Sequence, residues 1–248
     1  IEGRKNLISE LKNKLDPTKE KILFHCAPVG EFEHALPLYK RMKIEYTRVQ
    51  FIFSFFSPSG YNYAASKYPD LTITYLPIDS SSKATNFILT IQPKMAFFIK
   101  YEFWHNHLRA LHVANVPVFL VSGIFRKSQS FFKPWGLFFR NSLGFFTHFF
   151  LQNYESVALL ASIGFHNTSL TGDTRYERVL SNKNLAYVDR KIEHFIGRQK
   201  ALICGSVWAS DMPVIEQIMD NLSTEWKIII VPHEPTHFNY TKKAASYF

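Results

Sequence analysis

Glu31 follows Gly30 directly after an apolar run that ends at Cys26. Gly30 lets the backbone turn sharply out of a strand, so Glu31 falls at a helix start. A carboxylate there complements the helix macrodipole. The same position suits a general base that takes the proton of an attacking hydroxyl at the mouth of a cleft. Position alone leaves both readings open. Glu102, in Lys100-Tyr101-Glu102-Phe103-Trp104-His105-Asn106, offers the same pair of readings. Its neighbours Phe103 and Trp104 imply partial burial, where a carboxyl group can orient an acceptor or stabilise developing charge.

Gly172-Asp173-Thr174-Arg175-Tyr176 supplies a cation. The fork of Arg175 fits a phosphate or carboxylate held between lobes, although a surface arginine is the commoner case. Gly205-Ser206 reads as a strand-to-helix turn whose backbone N–H groups can cradle a phosphate. Pro232-His233 follows a later strand in the same way. The histidines give no metal spacing, since His105 and His107 are two apart and match no common zinc pattern. Neither a Walker phosphate loop nor a GxGxxG fingerprint occurs, which argues against nucleotide triphosphatases and Rossmann dehydrogenases. Cys26 and Cys204 fit no disulfide framework, so a reducing compartment is expected.

The elements that must position these residues are short apolar runs alternating with helical patterns. Strands are expected at Ile22–Cys26, Val49–Ser54, Thr72–Leu76, Met95–Ile99, Val118–Val121, Phe149–Gln152, Ser169–Thr171, Ala201–Cys204 and Lys227–Val231. Helices are expected at His34–Lys43, Lys83–Ile91, Trp104–Ala114, Ser156–Ile163, Arg190–Arg198 and Pro213–Asn221. Such alternation predicts an α/β fold with parallel sheets covered on both faces. In that fold, ligands gather beyond the carboxyl ends of the strands. The polar stretch 177–189 reads as a linker between a first lobe, residues 1–176, and the beginning of a second, residues 190–248. Ile1-Glu2-Gly3-Arg4 spells a protease-cleavage tag, and Lys242 to Phe248 reads as an interrupted helix, so a fragment of a longer protein is expected.

The net charge of +9 points to an anionic partner: nucleic acid, an anionic membrane or a phosphorylated substrate. The 24 Phe are unusual for a nucleic-acid binder and favour a lipid-facing surface. From Glu102 to Glu155 no acidic residue intervenes, while Arg126, Lys127, Lys133 and Arg140 interleave with Phe131-Phe132, Trp135, Phe138-Phe139 and Phe145-Phe146. This pattern reads as a buried helix with basic ends or as an interfacial segment facing anionic headgroups. No apolar run reaches the roughly 18 residues of a membrane span.

Taken in order, the loop motifs resemble one family, the 3-deoxy-D-manno-octulosonic acid (Kdo) transferases. His25-Cys26-Ala27-Pro28-Val29-Gly30-Glu31 resembles their H-x-x-S-V-G-E, and Ser57-Pro58-Ser59-Gly60 their T-P-T-G. Tyr75-Leu76-Pro77-Ile78-Asp79 resembles Y-x-P-x-D, and Tyr101-Glu102-Phe103-Trp104-His105-Asn106 resembles T-E-L-W-P-N. Gly172 to Tyr176 resembles G-N-x-K-F, Cys204-Gly205-Ser206 resembles A-G-S, and Val231-Pro232-His233 resembles V-P-R. Pro28, Lys100 and His233 depart from the pattern, standing where the family has serine, glutamate and arginine.

The resemblance implies a GT-B fold and an inverting, metal-independent transfer of Kdo from CMP-Kdo to a lipid A precursor, lipid IVA, with no cofactor. Glu31 would be the base, and Glu102 and Arg175 would support the transition state. Gly205, Ser206, Pro232 and His233 would contact CMP. Arg126, Lys127, Lys133 and Arg140 would face the acceptor or the membrane, at the cytoplasmic face of an inner membrane and without nucleic acid. A preceding anchor and a further donor-lobe stretch are implied, and the piece alone is expected to be inactive. The rivals are another GT-B nucleotide-sugar transferase or epimerase, and a non-catalytic basic membrane-binding module.

Overall fold

The computed structural model describes residues 4–27, 29–184 and 189–233. Pro28, the first three residues of the tag-like tetrapeptide and the expected helix at 242–248 lie outside them. The chain divides into two compact units, residues 1–184 and 185–248.

The first unit is built on seven strands: β1 (Glu20–Cys26), β2 (Val49–Phe55), β3 (Thr72–Tyr75), β4 (Met95–Ile99), β5 (Val118–Gly123), β6 (His148–Leu151) and β7 (Thr168–Leu170). They form one parallel sheet in the order β3-β2-β1-β4-β5-β6-β7. Parallel neighbours need long crossovers. The crossovers here carry α2 (Val29–Glu45), α3 (Pro58–Lys67), α4 (Ser81–Ile91), α5 (His105–Val113), α6 (Leu137–Leu143) and α7 (Tyr154–Ala161). Helix α1 (Leu7–Lys14) precedes the sheet and α8 (Arg175–Asn184) follows it.

Successive strand residues point to opposite faces, and both faces are covered. Leu23, Ile52, Ala96 and Phe98 enter one apolar core, while Phe24, Phe53, Phe97 and Ile99 enter the other. In the second core the rings stack across strands, Phe24 on Phe53 at 5.0 Å and on Phe97 at 4.9 Å. Phe97 stacks in turn on Phe119 at 5.3 Å. Burying each such ring contributes about 2–3 kcal/mol. Much of the phenylalanine richness is therefore the core of a doubly covered sheet, a use that composition alone could not separate from a lipid-facing surface.

Among the described residues all nine expected strands are present within a few residues of their expected bounds, and four α-helices are additions. Ser57-Pro58-Ser59-Gly60 reads as a turn, yet it opens α3: the Ser57 hydroxyl accepts from Gly60 N at 3.2 Å, and Pro58 occupies the first turn. Helix α2 begins at Val29, five residues before the expected start, so Glu31 lies in its first turn. The short helices α1 and α6 bury only two side chains each. Helix α8 includes residues of the stretch read as a linker; it is mostly polar, and its Tyr176, Val179 and Leu180, spaced as one helical face, are exposed.

In the second unit, α9 (Arg190–Ile196) and α10 (Met212–Asn221) accompany two parallel strands, β8 (Lys200–Val207) and β9 (Trp226–Pro232). Asp189 caps α9, accepting from Lys191 N at 2.9 Å. Val207, Met212 and Ile215 form the buried cluster of this unit.

Candidate active site

The strand order reverses between β1 and β4, and the crevice beyond their carboxyl ends is where an open parallel sheet binds its ligands. His25 and Cys26 end β1, Lys100 follows β4, and Glu31 sits in the first turn of α2. The structure thus gathers Glu31, His25, Lys100 and Glu102 at one end of the sheet.

Glu102 is held by two donors. Trp104 Nε1 donates to its Oε2 at 2.5 Å, and His25 Nε2 lies 3.3 Å from the same oxygen. On its other side the His25 ring meets Ser54, with Nδ1 3.0 Å from the hydroxyl and 3.1 Å from the carbonyl oxygen. A proton on Nε2 therefore leaves Nδ1 to accept from the Ser54 hydroxyl. Phe56 packs on Trp104 at 4.6 Å, and the Arg4 guanidinium lies 4.8 Å above Phe56. Arg4 also donates to the carbonyl oxygens of Leu76 at 2.8 Å and Phe56 at 2.6 Å, tying the ends of β2 and β3 together.

Glu31 is different. Its side chain is buried, and Oε2 has no hydrogen-bond partner among the described residues. Burial raises its pKa above the ordinary carboxylate value. A backbone hydrogen bond, the Lys100 ammonium and His25 pull it down, and the Glu102 charge adds to the rise. A carboxyl group with high proton affinity and an open lone pair is equipped to accept a proton.

Arg175 lies at the rim, exposed, and grips Asp173 through Nε at 2.8 Å and Nη2 at 2.6 Å. Burial of Asp173 opposes its charge, but these bonds, the Arg175 N–H and nearby His34 hold its pKa below the ordinary value. His34 is buried, with Nδ1 3.0 Å from Thr174 Oγ1 and 3.4 Å from Asp173 Oδ1. Its pKa falls to about 4, through burial first and then the Lys100 charge. Ser122, at φ 54, meets Thr174 Oγ1 at 3.0 Å and closes this network.

Two of the recognised motifs interlock. Asp79 Oδ1 accepts from His107 N at 3.1 Å and from His107 Nδ1 at 2.8 Å. Oδ2 accepts from Asn106 N at 3.3 Å, and the Asp79 carbonyl accepts from Asn106 Nδ2 at 2.9 Å. The first turn of α5 is thus capped by the loop after β3, which fixes the segment that carries Glu102.

The basic aromatic segment divides. Phe131 and Phe146 are buried, whereas Trp135, Leu137, Phe138 and Phe139 are exposed. Arg126 and Lys127 are exposed and Lys133 is partly so. The Arg140 guanidinium donates to the carbonyl oxygens of Phe131 at 2.7 Å and Lys133 at 2.9 Å. In the second unit, Ser206 Oγ lies 2.7 Å from His233 Nδ1, so Gly205-Ser206 and Pro232-His233 meet at the ends of β8 and β9. Trp208 stacks on His233 at 4.2 Å.

In the sequence Lys100 stands out only as a departure from the family pattern and His25 only as the start of a motif, with no role attached to either. His34 and Trp104 were also passed over as site residues. The usable signal was their place just after a strand or in the first turns that follow. Among the described residues no group of three or more His, Cys, Asp or Glu side chains is arranged to hold a metal ion, and no helix is long and apolar enough to cross a membrane.

A parallel seven-stranded sheet with its polar residues at the reversal of strand order, followed by a second α/β unit, defines the GT-B class of fold. The UDP-GlcNAc 2-epimerase of Neisseria meningitidis superposes with a TM-score of 0.64 at 13% identity, over 91% of this chain and 68% of that one. That likeness is one of fold. The family follows from sequence: the model of the 3-deoxy-D-manno-octulosonic-acid transferases (Kdo transferases) matches residues 3–178, and the chain belongs to that family. The Kdo transferase of Rickettsia felis is 24% identical over 92% of the chain and 50% of its own length. A bifunctional glycosyltransferase/methyltransferase of Fusobacterium nucleatum is 24% identical over 90% of the chain and 35% of its own length. The chain thus spans half the length or less of these two relatives.

Proposed function

We propose that the whole protein is an inverting glycosyltransferase that moves Kdo from CMP-Kdo to a lipid A precursor, lipid IVA, at the cytoplasmic face of the inner membrane. The observation that carries this reading is Glu31: a buried carboxyl group whose pKa burial raises and one of whose oxygens has no partner among the described residues, at the strand-order reversal of a Kdo transferase family member.

In the proposed step, the acceptor hydroxyl attacks the anomeric carbon of Kdo from the face opposite CMP. Its proton passes to the Glu31 carboxylate as the new C–O bond forms. The bond to the phosphate oxygen breaks with its electron pair, and CMP leaves. One displacement gives inversion. Glu102, fixed by Trp104 and His25, orients the acceptor. Arg175 faces the phosphate or carboxylate charge, which side chains meet without a metal ion. The Ser206–His233 corner would receive CMP.

The exposed Trp135, Leu137 and Phe138, with Arg126 and Lys127 nearby in sequence, suit contact with a lipid surface carrying anionic headgroups. The double variant Trp135→Ser, Phe138→Ser is expected to bind anionic phospholipid vesicles about tenfold more weakly by sedimentation. Unchanged binding would remove this surface from the reading. The reaction itself is tested by supplying the full-length protein with labelled CMP-Kdo and a tetra-acylated lipid A precursor. Transfer that CMP inhibits and UDP-sugars do not is the expected result. A folded protein that transfers nothing would contradict it.

A further inference from the structure

Glu31 and Arg175 stand on different elements, and one buried histidine links those elements. Glu31 lies in the first turn of α2, and His34 follows it three residues later on the same helix. Residues at that spacing are neighbours on one helix face. The His34 ring is 1% exposed and reaches the residues just before α8, with Nδ1 3.0 Å from Thr174 Oγ1 and 3.4 Å from Asp173 Oδ1. A carboxylate only accepts, so the ring carries its proton on Nδ1 and the Thr174 hydroxyl accepts from it. From β5, Ser122 Oγ accepts from Thr174 N at 3.3 Å and meets the Thr174 hydroxyl at 3.0 Å. The segment is thus held from two sides, by α2 and by β5.

What this segment carries is Arg175. Asp173 Oδ1 accepts from Arg175 N at 2.9 Å, and Oδ2 accepts from Nε at 2.8 Å and Nη2 at 2.6 Å. Gripped along one edge, a guanidinium fork has a direction as well as a place. An ion pair with an exposed arginine opens readily when both partners are free to move. Here the carboxylate is not free, because the Asp173 side chain is 10% exposed and lies against His34. A buried imidazole is costly unless it is hydrogen-bonded, and the bond that satisfies this one goes to the segment that aims Arg175.

We propose that His34 is a positioning residue: through Thr174 and Asp173 it fixes the Arg175 guanidinium against the helix that carries Glu31. The inference rests on the roles proposed for Glu31 and Arg175, but the positioning can be read without any transfer reaction. In ¹⁵N-arginine-labelled full-length protein, the Arg175 Nε–H resonance is assigned with Arg175→Lys. The pairing with Asp173 should slow exchange of that proton with water. His34→Leu is expected to abolish the slowing, whereas His34→Asn, whose amide can replace the Nδ1–H donor, should keep it. Thr174→Val removes the other end of the bond and should act as His34→Leu does, which guards against a variant that fails to fold.

In a protein active for Kdo transfer, His34→Leu should lower kcat by about 10–100-fold with a smaller change in KM, and His34→Asn should restore most of it. In an Arg175→Ala background, His34→Leu should bring no further loss, because its route to the reaction is already cut. A fully additive loss there would overturn the proposal. So would an Arg175 Nε–H exchange rate identical in the wild type, His34→Leu and Thr174→Val, whatever the activity. Slowed exchange that those variants abolish, in a protein that transfers no Kdo, would sustain the positioning and refute the reaction.

Discussion

Asp79 and Glu31 are both carboxylates in segments that follow strands of the same sheet, and the fold treats them in opposite ways. Asp79 accepts from two backbone N–H groups and a histidine ring. Although burial works against its charge, those bonds hold its pKa below 3.8. Glu31 keeps a buried oxygen without a partner among the described residues, and burial drives its pKa above 4.5. A carboxylate whose lone pairs are filled belongs to the scaffold. One that is buried with a lone pair open lowers stability where it is charged, and that arrangement is expected of a group kept for chemistry.

The contrast can be broken most directly at Asp79. Asp79→Ala should lower stability by about 2–4 kcal/mol, because it uncaps α5 and strands the His107 ring in the core. Urea unfolding measures this. A loss within 0.5 kcal/mol, roughly that of a surface substitution, would show that the cap is not structural. The linkage sign also follows. The folded-state pKa of Asp79 is depressed, so its contribution is complete above about 4 and disappears as pH falls through the folded pKa.

His34 gives the next largest effect. Its folded-state pKa of about 4 lies below the ordinary 6.5, so the unfolded chain takes the proton first. Stability is therefore unaffected above 6.5 and declines as pH falls from 6.5 toward 4. Between pH 7 and pH 5 the loss attributable to His34 is about 2 kcal/mol. His34→Gln should flatten that part of the profile, and an unchanged slope would place the pH sensitivity elsewhere.

The smallest effect sharpens the comparison from the other side. Above its raised pKa, Glu31 is charged and unfavourable in the folded state, and the penalty fades below about 4.5. Glu31→Gln should thus raise stability by up to about 1 kcal/mol at neutral pH and leave it unchanged at pH 4. A clear loss at neutral pH would mean that Glu31 is a scaffold group like Asp79.

The sequence allowed the strands to be read because both faces of the sheet are covered, which leaves apolar runs such as Ile22–Cys26 and Met95–Ile99 nearly uninterrupted. Helices made mostly of polar residues, such as α8, were hidden. Glu31, Glu102 and Arg175 were legible as polar residues placed just past strands. The meeting of His25 with Glu102 was not, because it depends on β1 and β4 being neighbours although roughly 70 residues of chain separate them. The Asp79 cap was hidden for the same reason, since its partners lie on another element.

The most direct test of the account is transfer of labelled Kdo to the tetra-acylated lipid A precursor by the full-length protein beside its Glu31→Ala variant. The account predicts transfer by the wild type and a fall of roughly 10²–10⁴-fold in a variant that remains folded. Transfer that survives in the folded variant would contradict the assignment of Glu31 as the base.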